Sequence, residues 1–224
     1  NNNKLYLSLF TTMNFTIFNE LCNFILLTSK NNNIDSSHDI THSMDVLHYA
    51  HNIYNKEVYI NPGIKSHENI IYLASTLHDM CDKKYMKEEE GLHSMELFLK
   101  DKIKISDEER NVVSSIINTM SYSKVKVNGF PNLGIYQSAY HIVREADLLS
   151  AYDFDRCLIY GLNVRGENFE NTFTRAEELF KNRVLRHAED NLFTTEYAKT
   201  CYPALHLQAI NRISSWKRIL HISS

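Results

Sequence analysis

Leu77-His78-Asp79-Met80-Cys81-Asp82-Lys83-Lys84 is the stretch of the chain densest in chemistry. It sets two strong metal-binding side chains, a further carboxylate and two cations within little more than two helical turns. The apolar run before it, Ile70-Ile71-Tyr72-Leu73-Ala74-Ser75-Thr76-Leu77, predicts a buried helix over residues 68–80 that carries the His-Asp pair into the interior. A buried imidazole beside a buried carboxylate is costly unless something satisfies both, and a divalent cation would do so.

Working outward, the chain reads as a set of helices. Residues 14–29 show helical spacing through Phe15, Phe18, Leu21, Cys22, Ile25 and Leu26, and Asn31-Asn32-Asn33 breaks it. Residues 35–39 offer several N-caps for a helix reaching about Tyr54, and Asn61-Pro62-Gly63 is a turn. Residues 88–100 form another amphipathic segment. Ser106-Asp107-Glu108-Glu109 is a capping box opening the next helix, to Met120. Residues 121–133 read as a loop, with Val125-Lys126-Val127 as a brief extended piece. Helices follow over 136–152, 154–162 and 174–187, and a last one reaches about Ile222, with Pro203 in its first turn. Six glycines and three prolines in 224 residues also favour long helices over many tight turns. The expectation is an all-α helical bundle of roughly nine helices.

Composition bounds the function. A net charge of -3 gives no electrostatic reason to expect nucleic-acid or membrane-surface binding. A strongly charged ligand would need a local cationic site or a metal. The four cysteines, Cys22, Cys81, Cys157 and Cys201, form no C-x-x-C pair and read as reduced thiols, pointing to a cytoplasmic protein. The short apolar run at residues 24–27 is far below the ~20 residues that span a bilayer.

His and Asp cluster in three places: Ser37-His38-Asp39-Ile40-Thr41-His42, the His78-Asp79 pair, and Arg144-Glu145-Ala146-Asp147-Leu148-Leu149. Two imidazoles and two carboxylates from three helices can close around one divalent cation, leaving positions open for water or substrate. The spacing excludes a site on one helix, so packing must bring the ligands together.

These motifs resemble those of the HD-domain metal-dependent phosphohydrolases, with their H…HD…D pattern on a helical core. The matching positions are His42, His78-Asp79 and Asp147. A closer resemblance is to the subgroup with S-H-D-x-x-H, L-H-D-x-x-D-x-K and A-D-x-L-x-A motifs, matched at 37–42, 77–84 and 146–151. The resemblance covers roughly residues 35–160. It implies an HD core there, preceded by a low-complexity segment and helix (1–34) and followed by a helical extension of the same domain (161–224). Some proteins of that subgroup cleave nucleoside triphosphates to the monophosphate and pyrophosphate. Two positions depart from the pattern. Asp45 stands where the first motif usually carries Arg, and Leu148 where an Arg commonly follows the last Asp.

The resemblance implies metal ligation by His42, His78, Asp79 and Asp147, with Mn2+ or Mg2+ the expected cation. It also implies a small phosphorylated substrate, a nucleotide hydrolysed either at the triphosphate or as a monophosphate. Asp82 is placed to be the base or orienter of the attacking water; the alternative is a terminal carboxylate paired with Lys83. Lys84 matches the subgroup's Lys and is expected to hold phosphate, or else to be a solvated surface Lys. His38, Lys124 and Arg144 are candidate substrate contacts, Arg144 also being placed to orient Asp147. His93 and His141 lack the companion His of dinuclear HD sites, so one metal is favoured. A homodimer is left open. The alternative is a catalytically degenerate HD fold that binds metal or nucleotide as a sensor or partner module.

Overall fold

The computed structural model of the protein describes residues 13–222; the start of the low-complexity segment expected over 1–34 lies outside them. The described residues form ten α-helices and no strand. Among them, no helix is long and apolar enough to cross a membrane.

α1 (Phe15–Asn32) leads in, α2 spans Ile40–Ile60 and α3 spans Glu68–Leu77. Every residue of α3 from Ile70 to Leu77 is buried. A helix apolar on all sides belongs at the centre of a bundle, and α3 packs there against α2, α5 (Asp107–Thr119) and α7 (Gln137–Ser150). α2 also packs on α7, which is buried over most of its length. α1 seals one side with Ile17, Leu21 and Ile25.

Local chemistry sets the ends of the elements. Asn14 caps α1 by accepting from the Ile17 N–H at 3.0 Å, and Asp39 caps α2 through the Thr41 N–H at 2.9 Å. The expected capping box at Ser106 and Glu109 forms in both directions, at 3.2 and 2.9 Å. Asn31 and Asn32 extend α1. Asn33 ends it in the left-handed region (φ 53°), which Asn tolerates.

Several expected boundaries are corrected. α2 runs on to Ile60. α4 (Glu88–Phe98) ends in a wide helical turn over Leu99–Ile103. The expected extended piece at Val125 is instead α6 (Tyr122–Asn128), because the buried Val125 side chain rewards a helical turn there. α8 (Phe154–Asn163) is capped by Asp153. α9 spans Phe169–Asn182, earlier than expected, and is capped by Asn168. The last helix, α10, begins at Glu196, so Pro203 lies inside it rather than in its first turn. The reason is a tertiary anchor. Glu145 on α7 accepts from the backbone N–H and hydroxyl of both Thr194 and Thr195, at 2.6–3.0 Å. That fixes the start of α10 two turns before the proline.

The His-Asp stretch itself is not helical. α3 stops at Leu77, where the chain tightens: the Met80 N–H donates to the Leu77 carbonyl at 3.0 Å, and the Asp82 N–H to that of Asp79 at 3.2 Å. α4 packs directly on this turn. A Cβ at Gly91 would come within 2.7 Å of the Cys81 Cα, so only glycine allows the approach.

Candidate metal centre

His42 comes from the first turn of α2, His78-Asp79 from the end of α3, and Asp147 from α7. These helices pack on one another, and the four side chains meet. His42 Nε2 lies 3.1 Å from His78 Nε2, 3.3 Å from Asp79 Oδ2 and 3.5 Å from Asp147 Oδ1. His78 Nε2 lies 3.4 Å from Asp79 Oδ2 and 3.7 Å from Asp147 Oδ1. A ligand shell of radius about 2.1 Å has edges of about 3.0 Å if octahedral and about 3.4 Å if tetrahedral. The separations suit such a shell. His42, His78 and Asp79 form the tightest group, compact enough to hold a metal ion.

The polar groups are oriented for a cation. His78 Nδ1–H donates to the Ser75 carbonyl at 2.8 Å, so in the neutral ring the Nε2 lone pair faces the cluster. A backbone carbonyl behind a ligating imidazole is the usual support for such a ring. Asp79 Oδ2 is buried and has no hydrogen-bond partner. Two imidazole nitrogens and two carboxylates thus face one another with few protons between them.

Proton equilibria express the same shortage. Burial pushes the His42 pKa down to about 4, against the pull of Asp147. For His78 burial works in the same direction, but the Asp79 and Asp147 carboxylates override it and raise the pKa to about 9. Burial disfavours the charged forms of Asp79 and Asp147. The two imidazoles more than offset that, holding both well below the usual carboxylate range. Without a metal, the proton on His78 is the cluster's cation.

The other expected residues lie around this centre. Asp82 does not share a helical face with His78, because the helix has ended; its oxygens accept from the Lys84 N–H (2.9 Å) and Nζ (3.0 Å). Lys84 Nζ is 3.3 Å from His38 Nε2. His38 is held by a hydroxyl network: Ser37 and Tyr85 both donate to Asp35 at 2.8 Å, and both oxygens lie within 3.0 Å of His38 Nδ1. With those hydroxyl protons committed to Asp35, the network assigns the proton to Nδ1 and turns the Nε2 lone pair to Lys84. Lys124 reaches Glu88, the Asn118 carbonyl (2.7 Å) and Asn118 Oδ1 (3.0 Å). Together with Asp82 and Glu88 it walls a cleft of about 150 Å³ that opens onto His78, Asp79 and Asp147.

Arg144 is not brought to the cluster. It is 1% exposed, pairs with Glu145 at 2.8 Å and lies over the Phe130 ring. The expectation that it orients Asp147 or reaches phosphate gives way to a structural pairing, since Glu145 is the nearer buried carboxylate.

Sequence reasoning missed Asp35, Tyr85, Arg156 and Arg183. A larger cavity, of about 370 Å³, lies beside the cluster and is lined by His38, Lys84, Arg156, Tyr160, Arg165 and Arg183 among others. Its arginines come from α8, α9 and the segments after them, beyond the three motifs. Arg156 contacts His42 Nδ1. No local pattern announces a pair 114 residues apart.

No family model, curated protein or solved structure matches this chain.

The donors of His42, His78 and Asp79, with one orphaned carboxylate oxygen, could hold a divalent cation, and Asp147 borders them. One contact runs against it. A metal on His42 Nε2 leaves the ring proton on Nδ1, where a guanidinium has nothing to donate to. Ligation by His42 therefore requires Arg156 to turn away, towards the cavity.

Proposed function

We propose that the protein is a divalent-metal-dependent phosphohydrolase acting on a small phosphorylated molecule, a nucleotide by the resemblance of its motifs. The observation that carries this reading is the convergence of His42, His78, Asp79 and Asp147 beside a cavity lined with cations. His42, His78, Asp79 and Asp147 would hold the ion. When bound, the cation would withdraw charge from a phosphoryl oxygen and acidify a water. Asp82, on the cleft wall, accepts the proton of the water that attacks phosphorus in this scheme, and the P–O bond to the leaving pyrophosphate or nucleoside oxygen breaks. Lys84, which already bridges Asp82 and His38, then shifts to phosphate oxygens. The narrow cleft and the buried cluster limit bulk water, which strengthens each charge interaction.

A second reading is favoured by one observation. Arg156 sits on His42 Nδ1, a contact that opposes metal ligation by His42 and so favours a chain that binds nucleotide without turnover. The two separate in one experiment. Chelator-treated protein is reconstituted with Mn2+ or Mg2+ and given a panel of nucleotides, with phosphate, pyrophosphate and nucleoside products resolved. Metal-dependent product that disappears in Asp147→Ala is the expected result. Metal and nucleotide binding without product would overturn the enzymatic reading.

A further inference from the structure

Arg183 closes α9, and its backbone is fixed on both sides: its N–H donates to the Leu179 carbonyl at 2.9 Å, and its carbonyl accepts from the Arg186 N–H at 3.1 Å. The guanidinium lies over the Tyr122 ring, 4.4 Å from its centre. That ring is itself pinned. The Tyr122 hydroxyl donates to Asp190 Oδ2 at 3.1 Å, and Asp190 Oδ1 pairs with Lys126 at 3.0 Å.

What the guanidinium lacks is an anion. Among the described residues it makes no ion pair or hydrogen bond, and the Tyr122 ring is its one directional contact. Its neighbours in the larger cavity differ. Arg165 and Arg175 share Glu167, at 3.9 and 2.9 Å, and Arg156 is turned onto His42. Burial disfavours the charged form of Arg183, and the Asp147 carboxylate opposes that. A half-buried guanidinium with five N–H donors and no acceptor is a site that an anion completes.

Its position says which anion. Arg183 lines both cavities. On one side it faces the cleft with His78, Asp79 and Asp147; on the other it faces the space beside Lys84 and Arg156. A phosphate at the cluster is therefore within the walls that Arg183 forms. The two arginines expected from the motifs are absent at Asp45 and Leu148.

We propose that Arg183 is a substrate-binding residue that grips phosphate oxygens through its guanidinium fork, with Tyr122 and Asp190 as positioning residues. This rests on the phosphohydrolase reading and places its phosphate contact outside the HD-like region. A cation replacing the motif arginines enters from the C-terminal helices. Tyr122 contributes a flat face that keeps the fork in plane, and Asp190 keeps that face from turning.

The test is calorimetric titration of inorganic pyrophosphate into the Mn2+-loaded full chain. Arg183→Gln is expected to weaken binding about tenfold or more, the loss of a charge-assisted contact. Arg183→Lys, which keeps the charge but not the fork, should fall between wild type and Arg183→Gln. Tyr122→Leu should approach Arg183→Gln, and Tyr122→Phe, which keeps the ring but loses the hydroxyl bond to Asp190, should fall between wild type and Tyr122→Leu. Metal content should be the same in all. Wild-type affinity in Arg183→Gln overturns the inference, as does a wild type that binds no pyrophosphate. Should Arg183→Gln fail to fold, Arg183→Lys decides: full wild-type affinity there rejects the fork. Nucleotide turnover separates the two levels. Turnover with unchanged KM in Arg183→Lys and Arg183→Gln sinks this assignment and leaves the phosphohydrolase standing. Absence of turnover by wild type, with pyrophosphate binding lost only in the variants, sinks the phosphohydrolase and leaves Arg183 as an anion-binding residue.

Discussion

Glu145 and Asp147 lie two residues apart on α7, yet their surroundings are opposite. Glu145 is fully buried and accepts from five donors: the Arg144 guanidinium and the N–H and hydroxyl groups of Thr194 and Thr195. Asp147 is 25% exposed at its side chain and faces two imidazoles that lean towards Asp79 as well. A buried carboxylate surrounded by donors is finished as it stands and holds structure together. Two carboxylates and two imidazoles gathered around a single proton are unfinished, and a cation could complete them. The contrast separates an architectural acid from a candidate ligand without any appeal to motifs.

The largest effect expected from breaking that contrast is on the architectural side. Glu145→Ala leaves Arg144 as a buried charge without its partner and releases the start of α10. A loss of about 3–5 kcal/mol in urea denaturation is expected, while the folded fraction keeps its metal stoichiometry. Loss of metal at full stability would reverse the assignment of the two acids.

Asp79→Ala should do the converse. Removing a ligand is expected to cost at least about 100-fold in metal affinity, more than loss of a supporting residue costs. Unfolding of the chelated protein should change far less. A competition titration with a metal indicator reads the first quantity, and denaturation with chelator present reads the second.

The smallest effect is a slope. Metal must displace the proton that His78 holds with a pKa of about 9. Apparent affinity should therefore fall about tenfold for each pH unit below 9, and one proton should be released per ion bound. The sign for stability is opposite in the metal-free protein. A raised imidazole pKa stabilises the fold fully below the unfolded value of about 6.5, and that contribution is lost as pH rises through about 9. Chelated protein should thus weaken between pH 6.5 and 9 while loaded protein gains on it. A metal affinity flat across that interval would show that the cluster does not hold its proton there.

The positions that the structure gathers at the candidate site were legible because each motif concentrates His and Asp within a few residues, next to apolar runs that could only be core. The helical class was legible for the same reason: Ile70 to Leu77 has no polar face. What escaped the sequence depended on distant partners. Val125 and Val127 are β-branched and suggest extension, but burial of Val125 makes that stretch α6. Pro203 looks like a first-turn residue until Glu145, 50 residues before Thr195, fixes the helix start. Asp82 lies beyond the end of α3, so the turn rather than helical spacing sets its position. Arg156 and Arg183 carry no local signature at all, since their significance lies in which cavities they line.

The Glu145 anchor also has a consequence for the order in which the protein assembles. The carboxylate and its hydroxyl partners are 49 and 50 residues apart, and the helix that bears Asp147 is packed on α10. Closing so distant a contact is slow relative to forming local helices. During synthesis, α2 and α3 can pair before residue 100 has been made, bringing His42 and His78 together early. α7 gains its anchoring donors only after Thr195 has emerged. The helix that bears Asp147 therefore receives its last anchor late, and a chain stalled before that point would present the candidate metal site with Glu145 still lacking its four threonine donors.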